Sequence, residues 1–510
     1  MTQSIEGLVV ELVVSTLLSL GRMFATYLLS LLLALVIGVV MARNKYVESV
    51  LLPILDILQS IPILGFFPAV FLVFINALGP IVGGELSSIF LIVTSLIWNM
   101  IFGVYSSVKS LDPSVDYLAR IYRLSSIPKF LYIYVPASRS SIAANSIVSW
   151  AGGWFFLTSA EVLSMGKTEY RLKGLGSLII KAFEDGNTTL YIAGLLTLST
   201  VIIISYLMIW NPFTMKYTDT KILLGFMRIY NSIDRIVSKT WGSIAGKLIM
   251  MYNFIKSRVG STHTVFLILP ILSIQYLLYP YPKNLYGVDY SILSKVLRYG
   301  EDFLLEVPNT LIRVYSVVVV GLVISVLLAY ISHTRFRVGK LVVMSGEVLS
   351  SIPAMIWWPI LLPLLQGFPY VVMGFIYLQG SLWYTFFNIL IFGLSNLKGN
   401  ILEFSRIYGI RGVLYLSKVF IPSLLPSILA GGLSASGGAW NASIAAEYIA
   451  FGDLIVDMGG VGSLLNKQAM AGDVLGILLT SLFMSLIIVS INKLVWVKVL
   501  RRISGYYVVE

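Results

Sequence analysis

Gly174-Leu175-Gly176-Ser177-Leu178 recurs as Gly460-Val461-Gly462-Ser463-Leu464, and the reading of the whole chain works outward from that coincidence. The same offset of 286 places Lys181 and Gly186 on Lys467 and Gly472, Arg120-Ile121-Tyr122 on Arg406-Ile407-Tyr408, and Pro136 on Pro422. It also places Gly152, Trp154, Ala160 and Glu161 on Gly438, Trp440, Ala446 and Glu447. Nearer the N-terminus an offset of 291 puts Arg22 on Arg313, Asp56 on Glu347, Ser60-Ile61-Pro62 on Ser351-Ile352-Pro353, and Pro68 on Pro359. Neither window needs a gap. Chance alignment of apolar segments would match Leu with Val; this alignment matches Pro, Gly, Trp, Glu and Arg. The chain is therefore an internal duplication.

Composition says what is duplicated. Of 510 residues, 57% are hydrophobic and 12% charged, against about a quarter charged in soluble domains. Uninterrupted apolar runs such as Tyr27–Met41, Ile89–Ile101, Ile192–Trp210, Val314–Ile331 and Val474–Ile491 have the character of bilayer-spanning helices. The formal charge of +12 sits in short stretches between those runs. That suits loops facing anionic lipid and argues against a nucleic-acid partner. The absence of cysteine excludes disulfides and thiol chemistry. The start Met1-Thr2-Gln3-Ser4-Ile5-Glu6 lacks a basic leader, so the first spanning helix is expected to direct insertion.

Each half reads as five membrane helices, expected near 15–42, 50–76, 87–108, 137–162 and 190–210, then near 303–332, 341–366, 371–394, 422–450 and 474–496. A basic stretch, Lys216 to Arg258, and one further apolar run, Val265–Tyr279, separate them. The division expected is a first half over 1–210, a linker with one helix over 211–300, and a second half over 301–510. Five helices alone would invert the second half; the extra crossing restores its orientation. The fold class expected is an all-α polytopic membrane protein with two parallel five-helix repeats, a linker helix, and about eleven spanning helices in all. The Lys/Arg bias puts the loops at 109–139, 211–258, 335–340 and 398–418 in the cytoplasm, although Lys167, Arg171, Lys173 and Lys181 fall on the other side.

The cytoplasmic segment between the third and fourth helices is basic and amphipathic. In the second half it reads Glu403-Phe404-Ser405, then Gly409, then Val419-Phe420-Ile421-Pro422. This resembles the Glu-Ala-Ala…Gly…Ile-x-Leu-Pro loop of ABC importer permeases, which in that family forms a short helix docking into the ATPase. The resemblance implies ATPase-coupling roles for Glu403, Arg406 and Gly409, and for Arg120 and Arg123 in the first half. There Tyr117 and Leu118 replace the Glu and Ala, and Arg123 replaces the Gly. Two short helices joined by a flexible residue suit transmission of a push from a soluble motor to a membrane helix.

The Ser-Ile-Pro triplets with a second Pro six residues on (Pro62/Pro68 and Pro353/Pro359), followed later by the Ala-Glu and Gly-x-Gly pairs, look like the nitrate, sulfonate, taurine and bicarbonate group of permeases in its duplicated form. The resemblance covers roughly 15–210 and 303–496. It implies a small anion as solute, alternating access, an extracytoplasmic binding protein, and two ATPase subunits carrying ATP-Mg. It also implies residence in a prokaryotic cell membrane. The prolines remove backbone donors and bend the second helix, either as gates or only for packing.

The fourth helix of the second half is small and polar, so it packs closely on a neighbour or lines a path. Ser436, Trp440, Asn441 and Ser443 are path candidates, with Ser149, Trp154 and Thr158 in the first half. Glu161 and Glu447 fall near the outer ends of those helices, at a depth similar to Arg22 and Arg313. A charge at that depth needs a partner, so Arg22–Glu161 and Arg313–Glu447 pairs are expected, as neutralised structural groups rather than ligands.

His263 and His333 are the only histidines, and no metal or triad set is legible. Gly166-Lys167-Thr168 and Gly246-Lys247-Leu248 fail the phosphate-loop pattern, so no cofactor is expected in this chain and ATP hydrolysis is expected from another. An ion-coupled transporter with parallel repeats is the alternative reading; it would need an intramembrane relay beyond these four charges. A membrane enzyme would need clustered acids or histidines at one depth.

Overall fold

The computed structural model describes residues 5–60, 62–165, 168–210, 290–365, 368–394, 399–451 and 454–496, with isolated positions elsewhere. The basic linker and the run Val265–Tyr279 lie outside them. The first half comprises α1 (Ile5–Arg43), α2 (Lys45–Ser60), α3 (Ile63–Lys109), α4 (Pro113–Ile121) and α5 (Arg139–Glu161). A hairpin of β1 (Val162–Met165) and β2 (Thr168–Arg171) follows, then α6 (Leu175–Glu184) and α7 (Thr188–Ser205). The second half repeats the order as α8 (Tyr290–Thr334), α9 (Phe336–Ser351), α10 (Ala354–Leu364), α11 (Pro369–Asn388), α12 (Gly399–Ile407) and α13 (Ile421–Ala446). The hairpin of β3 (Tyr448–Phe451) and β4 (Leu454–Asp457), α14 (Val461–Met470) and α15 (Val474–Ile491) complete it.

The chain is thus an all-α polytopic membrane protein, because a helix satisfies its own backbone groups where lipid offers none. Six described helices are long and apolar enough to cross a bilayer, and the bent α9–α10 pair makes a seventh. Two expected spans, α5 and α11, are not among the six. Both lie inside the bundle, where contact with other helices relieves them of an apolar surface; from Trp150 to Glu161, α5 is buried at every position but Gly152. The helix α3 counts once although it bends sharply at Gly79 (φ 78°, ψ 169°) before Pro80, so it merges the elements that the second half keeps apart as α10 and α11.

The second helix of each half is broken rather than bent, which corrects the sequence reading. Pro62 (φ −61°, ψ 116°) and Pro353 (φ −57°, ψ 139°) are extended residues standing immediately before α3 and α10. Proline has no N–H to donate, and the residue before it is driven from helical geometry, so α2 and α9 stop there. The axis turns by 106° between α9 and α10. Pro68 and Pro359 then fall inside the new helices.

The two hairpins were not expected. Each runs antiparallel from the end of a fourth helix, Val162 opposite Arg171 and Tyr448 opposite Asp457. One of the cations that break the Lys/Arg bias is held there by an acid, Arg171 by Glu184; in the second half Lys467, the equivalent of Lys181, pairs with Asp457 at 2.6 Å. Within each half, α5 packs on α3 and α13 on α11 at glycines. A Cβ at Gly438 would overlap the Gly380 carbonyl, and one at Gly153 would press on Met23 and Leu96. Between halves the fifth helix of each packs against the second helix of the other. The Tyr191 hydroxyl of α7 donates to the Ile356 carbonyl of α10 at 3.0 Å. Reciprocally, Ser481 of α15 abuts Gly65 of α3. One hydrophobic core containing Trp154, Trp358, Tyr377 and Trp440 spans both halves.

Candidate functional site

At the hairpin end, each half is braced by a buried carboxylate. Glu161 Oε1 accepts from Arg22 Nη1 at 2.9 Å and from the Ser19 hydroxyl at 2.6 Å. Its Oε2 accepts the backbone N–H groups of Gly176 at 2.7 Å and Ser177 at 3.2 Å. Glu447 repeats the arrangement: Arg313 Nη1 lies at 2.9 Å, the Thr310 hydroxyl at 2.9 Å, and the Gly462 N–H at 2.8 Å. The carboxylate thus caps the positive N-terminal end of α6 or α14 while neutralising an arginine from the first helix. The Gly-x-Gly repeats owe their form to this contact, since a Cβ on Gly174 or Gly460 would occupy the carboxylate's place.

The structure brings Arg22 to Glu161 and Arg313 to Glu447, and all four are tied into the packing. Sequence reasoning missed the further members. Ser19 and Thr310 were legible, being hydroxyls at the 291 offset. Glu85, which takes the rest of the Arg22 guanidinium as a fork at 2.7 and 2.8 Å, was not, because the second half completes its arginine differently: Arg313 donates to the Met458 and Gly459 carbonyls at 2.8 and 2.7 Å, while Tyr377 donates to Glu447 at 2.7 Å.

At the opposite end, α4 and α12 end alike. The Leu124 N–H reaches back to the Ala119 carbonyl at 3.0 Å and the Arg123 N–H to Arg120 at 3.0 Å; Ile410 bonds Ser405 at 2.9 Å and Gly409 bonds Arg406 at 3.2 Å. These paired bonds close a Schellman turn, which requires one residue of positive φ. Gly409 supplies it at 65°, and Arg123 supplies it at 48°, the only non-glycine in that region among the described residues. Asp112 accepts from the Ser114 N–H at 2.7 Å to start α4, and that N–H, with the Ser114 hydroxyl, holds the Asp112 carboxyl below the ordinary range.

Both short helices bury one small residue, Ala119 or Ser405, and expose an apolar face. Ile121 and Tyr122 are 58% and 74% exposed; Ile407 and Tyr408 are 74% and 67% exposed. Arg120, Glu403 and Arg406 flank these faces, also exposed. From each turn the chain runs through a wide-turn π-helical segment, Phe130–Tyr134 or Leu416–Phe420, into the fourth helix. Each segment is also tied to the end of its own first helix. Arg43 pairs with Asp116 and lies 4.9 Å over the Tyr134 ring, while the His333 ring centroid lies 5.5 Å from that of Phe420.

Between the halves lie two clefts. They adjoin: α5, α11 and α13 line both through Phe156, Tyr384, Gly438 and Asn441, α9 completes the first, and α2 and α3 the second. Their cavity volumes are about 30 and 140 Å³. Val148, Ala151, Gly152 and Phe155 line the first; of the residues 286 positions on, Ser434 and Gly437 line the second, and Gly438 and Asn441 line both. Among the path candidates only Asn441 reaches a cleft wall. Ser149, Trp154, Thr158, Ser436, Trp440 and Ser443 point instead into packing within their own half and are fully buried. Ser149 donates to the Leu96 carbonyl at 2.8 Å and Ser443 to Trp440 at 2.7 Å. The small residues that suggested a path are there for close helix approach, and the cleft-facing stripe is the adjacent one. Pro62 is buried, and Ile63 beside it lines the second cleft.

A duplicated helical bundle with paired inter-half clefts at its centre and matched exposed helices at one end defines a multi-pass transport subunit. The chain belongs to the family of binding-protein-dependent transport system inner membrane components, which matches it twice, over residues 31–210 and 321–498. It is 26% identical over 170 residues to a nitrate import permease of Synechococcus elongatus, covering 33% of this chain and 56% of that protein. A bicarbonate transport system permease of the same organism is 19% identical over 170 residues, 33% and 57% of the two chains. A putative ABC transporter permease of Methanocaldococcus jannaschii is 25% identical over 183 residues, 36% and 64%. The chain spans about three fifths of the length of these relatives.

Proposed function

We propose that this chain is the complete two-sided membrane path of an ATP-driven importer for a small anion, chemically akin to nitrate or bicarbonate, moved by alternating access. The observation that carries the reading is the pair of Schellman-terminated helices α4 and α12. Each presents an exposed Ile-Tyr face and leads through a rigid segment into a helix that lines an inter-half cleft. Two such faces suit two ATPase subunits, whose closure would push α5 and α13 together. A binding protein would deliver solute at the hairpin end. The braces at Arg22–Glu161 and Arg313–Glu447 leave their charges occupied by backbone and side-chain partners. That makes them fixed corners of each half and poor members of an ion relay.

The test is to purify the chain from its native membrane in mild detergent and identify what accompanies it. Two phosphate-loop ATPase subunits per chain are expected, reduced to about one by Ile121→Asp or Ile407→Asp and to none by both together, since an aspartate in an apolar contact is left desolvated. A chain that purifies alone and moves nitrate in vesicles only when an ion gradient is imposed would overturn the reading in favour of a secondary transporter.

A further inference from the structure

Equivalent positions of the two halves meet at one cavity. Gly152 packs at the Ser95 carbonyl as Gly438 packs at that of Gly380, so an offset of 285 relates α3 to α11 and makes Asn99 and Tyr384 counterparts. Both line the larger inter-half cleft, together with Asn441 of α13. In a duplicated chain, counterparts approach each other only close to the axis that relates the halves, so this cleft stands at the centre of the bundle. We propose that Asn99, Tyr384 and Asn441 form a single central site, built by both halves, that holds a monovalent oxyanion through neutral hydrogen-bond donors and rejects divalent ones. This deepens the importer reading above and rests on it only for the direction and energy of movement.

The hydrogen-bond accounting sets these three apart from their neighbours on the wall. Ser95 donates to the Ile92 carbonyl at 2.7 Å and Ser434 to the Ala430 carbonyl at 3.2 Å, each within its own helix. The Asn99 amide and the Tyr384 hydroxyl, both half-buried, make no hydrogen bond among the described residues. Asn441 joins the halves: its Oδ1 accepts the Ile63 N–H at 2.7 Å, and its Nδ2 gives one proton to the Gly437 carbonyl at 3.2 Å. That leaves one Nδ2 proton over, and the bond to Ile63 fixes which end of the amide is the donor. No ionised side chain lines the cleft. The cost of taking an ion out of water rises with the square of its charge, whereas the return from fixed dipoles rises only in proportion to it. Neutral donors therefore suit a single negative charge and hold it loosely enough to let it go. The cavity of about 140 Å³ is several times the roughly 30 Å³ that one water occupies in the liquid, so it admits a small oxyanion.

The test is binding of radiolabelled chlorate, a monovalent oxyanion, to the purified full chain in detergent without ATP or any ATPase. Saturable binding is expected, displaced by nitrate and not by sulfate at the same concentration. Tyr384→Phe and Asn99→Leu should each weaken it about tenfold or more, the loss of one hydrogen bond to a charged group. Ser95→Ala and Ser434→Ala, whose hydroxyls are committed to their own helices, should change it less than about twofold. Undiminished binding in Tyr384→Phe, equal losses in the serine variants, displacement by sulfate as good as by nitrate, or no saturable binding at all would overturn the proposal. Tyr384→Phe removes one oxygen and keeps the ring, so its result does not hang on refolding of the bundle. With no ATPase present, failure of this binding and failure of the ATPase co-purification are separate results.

Discussion

Arg123 and Gly409, equivalent residues of the two halves, hold the same left-handed backbone conformation at φ 48° and 65°. The turn they close is the same, but only one of them is a residue suited to it. The first half therefore carries backbone strain at the very end of α4, where the exposed Ile121 and Tyr122 sit.

Arg123→Gly is expected to stabilise the purified chain by about 0.5–1 kcal/mol, the left-handed penalty for a residue with a Cβ less the entropy glycine brings to the unfolded chain. Gly409→Ala should cost about 1 kcal/mol. Unfolding free energies from denaturing-detergent titrations test both; an Arg123→Gly variant that is less stable would mean the arginine side chain makes a contact worth more than the strain.

The braces should behave as units. Arg22→Met leaves Glu161 buried beside a lost partner and should cost about 3–5 kcal/mol, as should Arg313→Met for Glu447. Adding Glu161→Gln to Arg22→Met should return part of that loss, because the amide needs no counter-charge while still accepting the Gly176 N–H. A double variant as unstable as the sum of both single variants would show that the two groups are not coupled.

Glycine substitutions should separate cleanly by position. Gly460→Ala places a methyl where the Glu447 carboxylate lies, at a φ of 110°, and is expected to cost several kcal/mol, at about the level of a broken buried pair. Gly374→Ala meets nothing within 4 Å inside α11 and should instead stabilise by up to about 1 kcal/mol through helix propensity. Thermal unfolding in detergent distinguishes a loss from a gain in each.

Asn441→Leu removes the acceptor of the Ile63 N–H. It should cost about 1–3 kcal/mol for the donor left unpaired, and hydrogen exchange at the Ile63 amide should speed up relative to the Ile356 amide of the other half. Unchanged exchange at Ile63 would show that water or another group already serves that donor.

Much of this was legible in residues whose chemistry admits few uses. The duplication, the membrane class and the pairing of Arg22 with Glu161 and Arg313 with Glu447 all come from Pro, Gly, Arg and Glu recurring in register. The helix breaks were half legible: Pro62 and Pro353 announced a distortion, but a bend and a full stop look alike until the backbone of the following turn is known. Of the path candidates on the fourth helices, Asn441 stands at a cleft wall and the others are packed within their half. Small polar residues such as Ser436 and Ser443 serve close packing as readily as a path, and only the neighbouring helices decide between the two. Glu85 and Tyr377 were invisible because each serves one half only, the first binding Arg22 and the second Glu447, and repeats are found by identity.

Fusion of the two halves into one polypeptide has its deepest effect on what a single substitution can do. In an assembly of two identical chains, any change appears on both walls at once, so a residue useful on one side must be tolerated on the other. Here the position of Asn441 could become an amide while that of Phe155 stayed a ring. Covalent linkage has made the two copies of each repeat separately editable, so that one central space can be walled by unlike residues.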